Sequence, residues 1–312
     1  MAGAALTPPA WRQMPERGNT FWLRFMIGVG RGLGWHAGHA LLYPITAYFL
    51  AFSPRQRRAA REYLGRALDR PARLADLWRL YFTFAATILD RVWLAAGRIA
   101  GFEITVHGLE ALRRRAEPGP GEPRTGCLLF GAHLGSFEAL RAVGDAGCPV
   151  DIAVLMHEAN AARVKAVFDA LGGSRRTTTV IPLGCPDSML RVREVLERGG
   201  LVGLLADRAP AGQRMHLVEF LGSPAPLPTG PHLLAAVLGA PVMLAFGIRT
   251  GPRRYAVHFL PFAERIGSGD RAGREAAILA SVERYARAVE AMCRAHPYNW
   301  FNFYPFWQEA AA

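Results

Sequence analysis

Lysine is almost missing from this chain of 312 residues: Lys165 is the only one, although lysine and arginine together number 37. Arginine therefore supplies nearly all of a formal net charge of +12. Such a charge favours acidic partners, which include nucleic acid, an anionic membrane surface and an acidic carrier protein. Because zinc-finger spacing, RNP-like aromatic strands and basic heptads are also missing, we expect no nucleic-acid partner.

Paired cysteines and nucleophile motifs are missing as well. The four cysteines lack paired spacing, which is typical of buried reduced thiols, and they are Cys127, Cys148, Cys185 and Cys293. No G-x-S-x-G elbow, Walker A motif or G-x-G-x-x-G run is present. We expect no metal and no cofactor.

We expect no cleavable signal peptide, because the first ~20 residues are polar or carry proline. We therefore expect the catalytic part to stay in the cytoplasm.

With 51% hydrophobic residues, the chain can bury a sizeable core. We predict a membrane-associated helical region over residues 1–100 and an α/β domain over residues 101–312.

Residues 32–52 form a run without formal charge whose length would let a helix cross a bilayer. Arginines flank it on both sides, so the positive-inside rule gives no orientation. Glycines, histidines and Pro44 leave three alternatives open: a spanning helix, an embedded helix that does not cross, and a soluble core helix. We favour membrane anchoring. The pattern predicts further helices over residues 54–70 and 72–97.

From Phe102 onward, short β-rich apolar runs alternate with helical stretches, which predicts an α/β fold with a mostly parallel sheet flanked by helices. Strands are predicted near residues 102–106, 126–131, 150–155, 177–182, 201–206, 241–248 and 254–260. Helices are predicted near residues 137–146, 158–171, 187–198, 230–238 and 271–295.

A histidine and a glutamate stand five residues apart where one predicted strand gives way to a helix. His133 follows a buried run, and Ser136 is a candidate N-cap that puts Glu138 in the first helical turn. The break between strand and helix lets the two side chains converge, whereas on one helix they would diverge. A carboxylate that accepts the Nδ1 proton makes histidine a general base. We predict His133 and Glu138 as catalytic residues; the alternative is a structural histidine and a solvated glutamate.

Another apolar run ends in the charged pair Asp207 and Arg208, at a strand's carboxyl end, where open α/β sheets place their ligands. Arg208 is predicted to bind a phosphate or a developing oxyanion, with Asp207 orienting it. The alternative is an ordinary surface ion pair. Residues 220–230 are predicted to form a proline-rich loop into a helix, with Thr229 as a candidate cap, or else a plain connector.

Together these segments resemble the lysophospholipid acyltransferase superfamily, and more closely its branch of bacterial late acyltransferases of lipid A biosynthesis. The resemblance covers nearly the whole chain. An H-x4-D/E block is matched by His133 and Glu138, and an Asp/Glu-Arg block by Asp207 and Arg208. A loop of the form F-x-G-x-P-x-x-x-P-x-G-P is matched over residues 220–231.

The resemblance implies acyl transfer from a fatty-acyl thioester, on acyl carrier protein or coenzyme A, to a hydroxyl of a membrane lipid acceptor. It implies an enzyme at the inner membrane whose catalytic domain faces the cytoplasm, and we expect a monomer. Beyond the charged pair, the implied substrate-binding residues are Gly135, Ser136, Asn160, Arg163, Gly222, Pro228 and Gly230. The alternatives are a non-catalytic membrane-lipid and acyl-carrier-binding protein of the same fold, and a thioester hydrolase.

The carboxyl end departs from that branch. Typical members close with a tryptophan followed by basic residues, whereas residues 296–307 are aromatic and contain no Arg or Lys. The ending resembles acyltransferases associated with aryl polyene clusters, so a lipid A-like acceptor and an aryl polyene lipid both remain open. The segment has three alternative roles: core packing, an interfacial belt or acceptor recognition.

Overall fold

The structure, a computed structural model, describes residues 20–95, 98–116, 125–147, 152–157, 179–185, 187–208, 212–267 and 270–307. The chain forms two compact units. Unit 1 consists of residues 1–85, 208–229 and 282–312, and unit 2 consists of residues 86–207 and 230–281. The units interleave along the chain. The predicted division into residues 1–100 and 101–312 stays a prediction.

Nine strands are described: β1 (Glu103–His107), β2 (Cys127–Gly131), β3 (Ile152–His157), β4 (Thr179–Leu183), β5 (Leu201–Leu205), β6 (Met215–Phe220), β7 (Ser223–Pro228), β8 (Val242–Gly251) and β9 (Arg254–Ala263). Seven of them form the sheet of unit 2, in the order β1-β9-β8-β2-β5-β3-β4. Neighbours pair in parallel except β8 and β9. The predicted mostly parallel α/β sheet is confirmed, with a strand at each of the seven predicted positions.

The described helices are α1 (Thr20–Phe52), α2 (Pro54–Ala67), α3 (Leu74–Ala95), α4 (Leu109–Ala116), α5 (Phe137–Gly147), α6 (Ser188–Glu197), α7 (Gly230–Leu238) and α8 (Arg271–Ala295). All of them except α4 were predicted from the sequence pattern. The predicted helix over residues 158–171 lies outside the described residues.

The core of unit 2 lies between one face of the sheet and helix α5. Strand β2 is buried along its whole length, as expected for a central strand that is covered on both faces. Ala139, Leu140 and Val143 of α5 belong to the same buried cluster as Leu129 of β2 and Phe259 of β9. This packing fixes the start of α5 close to the carboxyl end of β2.

Helix α1 contains the uncharged run over residues 32–52. Gly34 interrupts it with a φ of 79°, a left-handed conformation that glycine adopts without steric cost. In the described part of the chain, no helix has both the length and the hydropathy of a membrane span.

A β-hairpin in unit 1 replaces the loop predicted over residues 220–230. Its two strands, β6 and β7, are antiparallel and are joined through Leu221 and Gly222, which have φ values of 51° and 75°. Positive φ at both central residues is typical of a type I′ turn. The prolines of β7 occupy every second position, so their nitrogens all face away from β6 and no ladder donor is lost. Because the prolines occupy every second position, this proline-rich sequence can form a strand.

The aromatic carboxyl-terminal segment packs inside unit 1. Trp300, Phe306 and Trp307 are buried, and the rings of all three lie against Phe220. The Trp307 indole N–H also donates to the Phe220 carbonyl over 3.0 Å. For these three residues the structure favours the core-packing alternative.

Asp76, near the start of α3, collects four hydrogen bonds within unit 1. Arg70 donates twice, over 2.8 and 3.0 Å, and the Arg73 N–H and the Tyr298 hydroxyl each donate over 2.8 Å. These donors, above all the Arg70 guanidinium, hold the pKa of the Asp76 carboxyl well below its usual range. The ionised carboxylate thereby joins the start of α3 to the carboxyl-terminal segment.

Asp76→Asn is expected to lower the free energy of unfolding by about 2 kcal/mol at neutral pH, because hydrogen bonds to a charged group are lost. A lowered native pKa contributes stability above the unfolded pKa of about 3.9, and that contribution is lost as the pH falls further. The difference between wild type and variant, measured by denaturant unfolding, should thus be constant above about pH 5 and shrink in acid.

The control for this variant is Asp187→Asn, which removes an exposed i,i+4 ion pair with Arg191. It should cost less than about 1 kcal/mol. Equal losses in the two variants, or a difference that persists undiminished at low pH, would contradict the assignment of Asp76.

Candidate active site

The site begins with the register between strands β2 and β5. These neighbours pair in parallel from Cys127 opposite Leu201 to Gly131 opposite Leu205, and the Ala206 N–H donates to the Gly131 carbonyl. His133 and Asp207 each stand two residues beyond the last pair. The continued register therefore brings the two side chains together at the carboxyl edge of the sheet, where open α/β folds bind ligands.

Two hydrogen bonds join His133 and Asp207. The His133 Nδ1 lies 2.8 Å from Asp207 Oδ1, and the His133 backbone N–H donates to Oδ2 over 3.1 Å. The Asp207 side chain is 1% exposed, whereas that of His133 is 39% exposed. An ionised carboxylate only accepts hydrogen bonds, so Nδ1 carries the proton and Nε2 carries the lone pair. This is the tautomer that a general base needs.

Glu138 has other partners. It lies in the first turn of α5, where its Oε1 is 2.9 Å from Arg91 Nε and its Oε2 accepts a 3.3 Å bond from the Ser136 hydroxyl. The predicted contact between His133 and Glu138 is therefore wrong: Asp207 is the carboxylate that holds the imidazole. The reason is that the sheet register fixes His133 beside β5, whereas Glu138, at the start of α5, lies against Arg91 of α3. The catalytic roles of His133 and Glu138 stay predictions.

The turn between β2 and α5 is fixed against strand β8. The Ser136 N–H donates to the Gly247 carbonyl over 2.7 Å, and a Cβ at Gly135, whose φ is 75°, would lie 1.9 Å from that oxygen. The Ser136 hydroxyl also accepts the Ala139 N–H, as predicted for an N-cap. Gly135 and Ser136 thus have backbone roles in the turn, and their predicted contact with substrate stays a prediction.

A largely apolar pocket of about 690 Å³, its open mouth included, lies under this turn in unit 2. Ala132 and Leu134, which flank His133 in sequence, are part of its wall. Phe137 and Leu140 of α5 and Leu112 of α4 also line it. The apolar wall suits a hydrocarbon chain.

Arg208 belongs to unit 1 and is held by the aromatic carboxyl-terminal segment. Its Nη2 donates to the Phe301 carbonyl over 2.9 Å. The guanidinium carbon lies 4.9 Å from the centre of the Tyr304 ring and 5.9 Å from that of Trp300, both within cation–π range. The predicted binding of phosphate or oxyanion by Arg208 stays a prediction.

The remaining predicted site residues have structural roles or lie outside the description. Gly222 is in the hairpin turn, Pro228 ends β7 and Gly230 begins α7. The Thr229 hydroxyl donates to the Arg214 carbonyl at the open end of the hairpin instead of capping α7. The predicted residues Asn160 and Arg163 lie outside the described residues. Among the residues that are described, no group of three or more His, Cys, Asp and Glu side chains is placed to hold a metal ion.

Comparison with known proteins gives the family. Residues 84–309, well over half of the chain, match the profile described as bacterial lipid A biosynthesis acyltransferase. The chain belongs to this family. The stretch includes the His133 and Asp207 pair, so the pair lies in the part of the chain that defines an acyltransferase family. The comparison with curated proteins found no match.

Sequence reasoning missed two features of the site. The role of Asp207 had a visible signal, because CLLFGAH and LVGLLAD are both five-residue apolar runs followed by alanine and a polar residue. Neighbouring parallel strands would bring those two polar residues together. Arg91, the partner of Glu138, carried no local signal, since it lies within the long amphipathic helix α3.

Asp207→Asn is expected to lower kcat by about 10³- to 10⁴-fold, because an amide no longer enforces the Nδ1–H tautomer. Glu138→Gln should cost less, about 10- to 100-fold, since Glu138 does not touch the imidazole. Steady-state acyl transfer by the two purified variants makes the comparison. A larger loss in Glu138→Gln than in Asp207→Asn would return the orienting role to Glu138.

Proposed function

We propose that this protein is an O-acyltransferase that moves a fatty-acyl group from a thioester to a hydroxyl of a membrane lipid. The observation that carries the proposal is the His133 and Asp207 pair beside an apolar pocket, within a stretch that matches an acyltransferase family. The donor is proposed to be acyl carrier protein, with coenzyme A as the alternative carrier, and no cofactor takes part.

The His133 imidazole would act as the general base. Its Nε2 takes the proton of the acceptor hydroxyl as the oxygen attacks the thioester carbonyl carbon, while Asp207 stabilises the imidazolium. When the carbon–sulfur bond breaks, the imidazolium returns the proton to the leaving thiolate. An ester and a free thiol result, and the enzyme regains its starting protonation state without a covalent intermediate.

The apolar pocket would hold the acyl chain of the donor. Its wall continues from the turn that carries His133 to side chains of α4 and α5. A chain in this pocket would bring its thioester carbonyl to the turn, and the removal of apolar surface from water would contribute about 25 cal/mol per Å². Chain-length preference would then depend on the residues that close the pocket, among them Leu112.

The charge of the chain supports an acidic carrier and an anionic membrane surface. A formal net charge of +12, carried almost wholly by arginine, speeds the encounter with both. We propose that the protein works as a monomer at the cytoplasmic face of the inner membrane. Arg208 is proposed to neutralise a phosphate or the oxyanion of the tetrahedral intermediate.

Two acceptors fit this proposal. We propose a lipid A-like acceptor because of the family, and an aryl polyene lipid as the alternative because the carboxyl-terminal sequence resembles acyltransferases of aryl polyene clusters. Because Trp300, Phe306 and Trp307 are buried in unit 1, those three rings do not favour either acceptor.

In vitro, thiol release from an acyl carrier protein thioester should require bacterial membranes that supply the acceptor. His133→Ala should lower the rate at least about 10²-fold, which is the scale of general-base catalysis. Circular dichroism of the variant serves as the folding control. Release without any acceptor would identify a hydrolase, no release with any acyl chain would identify a binding protein, and unchanged release in the variant would remove His133 from the reaction.

Leu112→Ala is expected to shift the preference toward longer acyl chains, because the buried Leu112 side chain closes part of the pocket. Relative kcat/KM values for a series of thioesters of increasing acyl-chain length provide the measurement. Leu233→Ala, at a leucine of α7 that is 48% exposed and outside the pocket wall, is the matched control. The same chain-length profile in both variants would contradict an acyl-chain role for this pocket.

A further inference from the structure

Helix α3 carries two adjacent charged residues that reach different elements of unit 2. The first, Asp90, is fully buried and accepts hydrogen bonds from Arg249 of β8, over 3.2 Å, and from the Tyr255 hydroxyl of β9, over 2.9 Å. The Arg249 side chain is itself 7% exposed. Losing one partner of such a buried pair is costly, so this part of α3 has a fixed position against the sheet.

The second residue, Arg91, reaches the start of α5. Its Nε lies 2.9 Å from Glu138 Oε1 in an ion pair that lacks hydrogen-bond geometry at Nε, and the Glu138 side chain is only 12% exposed. The other oxygen of Glu138 accepts the Ser136 hydroxyl, and the Ser136 N–H returns to Gly247 of β8. Gly247 stands two residues before Arg249 on the same strand.

These contacts form a closed ring around the turn that carries His133. Arg249 of β8 bonds to Asp90, whose neighbour Arg91 pairs with Glu138. Glu138 accepts from the Ser136 hydroxyl, and the Ser136 N–H donates to Gly247 of β8. His133 belongs to the same turn and is bonded to Asp207 through its ring and its backbone N–H. A displacement of α5 would therefore move the turn and change the geometry of the imidazole with the Asp207 carboxylate.

We propose that Arg91 is a positioning residue: through Glu138 and Ser136 it holds the His133 turn in the geometry that bonds the imidazole to Asp207. The glutamate of the H-x4-E block then acts on the histidine through the backbone of the turn and not by direct contact. The expected effect on turnover rests on the proposed function, whereas the expected effect on the imidazole does not.

An ordinary surface ion pair is the competing explanation, since the Arg91 side chain is 39% exposed. Such pairs contribute little to stability, and an ordinary surface pair would leave the His133 ring unchanged. The chain offers a matched example in Arg113 and Glu110 of α4, whose side chains are 45% and 80% exposed and 3.3 Å apart. Arg113→Met therefore measures what the loss of an exposed arginine pair does in the same unit.

The test compares Arg91→Met, Arg91→Lys and Arg113→Met in the full-length protein. Nitrogen-15 NMR of the histidine rings, with the His133 signals assigned from their loss in His133→Gln, reports the tautomer without any turnover. Arg91→Met should shift the His133 nitrogen signals toward a tautomer mixture. Arg91→Lys should restore the Nδ1–H form in part, and Arg113→Met should leave the His133 signals as in the wild type.

Turnover gives the second readout. Arg91→Met should lower kcat by about 10- to 100-fold, with a much smaller change in KM for the acyl carrier protein thioester, because misplacement affects the reacting group more than binding. The double variant Arg91→Met with Glu138→Gln should be no slower than either single variant, since both interrupt one ring.

Wild-type His133 signals in Arg91→Met would overturn the proposal, even with a lower melting temperature, because stability would then be the only role of Arg91. Turnover equal to that of Arg113→Met would overturn it too. If the proposed function is wrong, His133→Ala would turn over as fast as the wild type. The NMR comparison would still decide the role of Arg91 in that case.

Discussion

The parallel pairing of β2 with β5 is the constraint on which the site depends. Its register sets Gly131 opposite Leu205 and so brings His133 next to Asp207. The carboxylate is buried to 1% exposure, whereas the imidazole that it holds through Nδ1 is 39% exposed. A shift of one residue would turn Asp207 to the other face of the sheet. The core of unit 2 therefore protects this alignment by burying β2 along its whole length.

The turn after β2 is also fixed by its contacts with β8. Gly135 brings its backbone against the Gly247 carbonyl where no side chain would fit, and Ser136 both caps α5 and bonds to β8. Preorganisation of this kind would keep the proposed general base, His133, in place before the substrate arrives, so less free energy would be spent on ordering it during the reaction. Acyl transfer from a thioester needs little more from the protein than a positioned base, a place for the acyl chain and a stabilised oxyanion.

Much of this arrangement could be predicted from the sequence. Continuous apolar runs such as CLLFG and LVGLL gave the buried strands, and the order of runs gave the parallel sheet. The hairpin of β6 and β7 was missed because proline usually argues against a strand, and only the alternate spacing makes it compatible. The partner of His133 was missed because sequence proximity favoured Glu138, while the actual carboxylate lies 74 residues away and is brought close by strand order.

Mass spectrometry of total lipids would show whether the His133 and Asp207 pair transfers an acyl group to a lipid. The comparison uses cells that lack their own copy of the gene and carry either wild-type protein or His133→Gln at equal abundance. We expect a lipid that is heavier by one acyl group with the wild type and no such lipid with the variant. The same acylated lipid at the same level in both would refute acyl transfer by this pair.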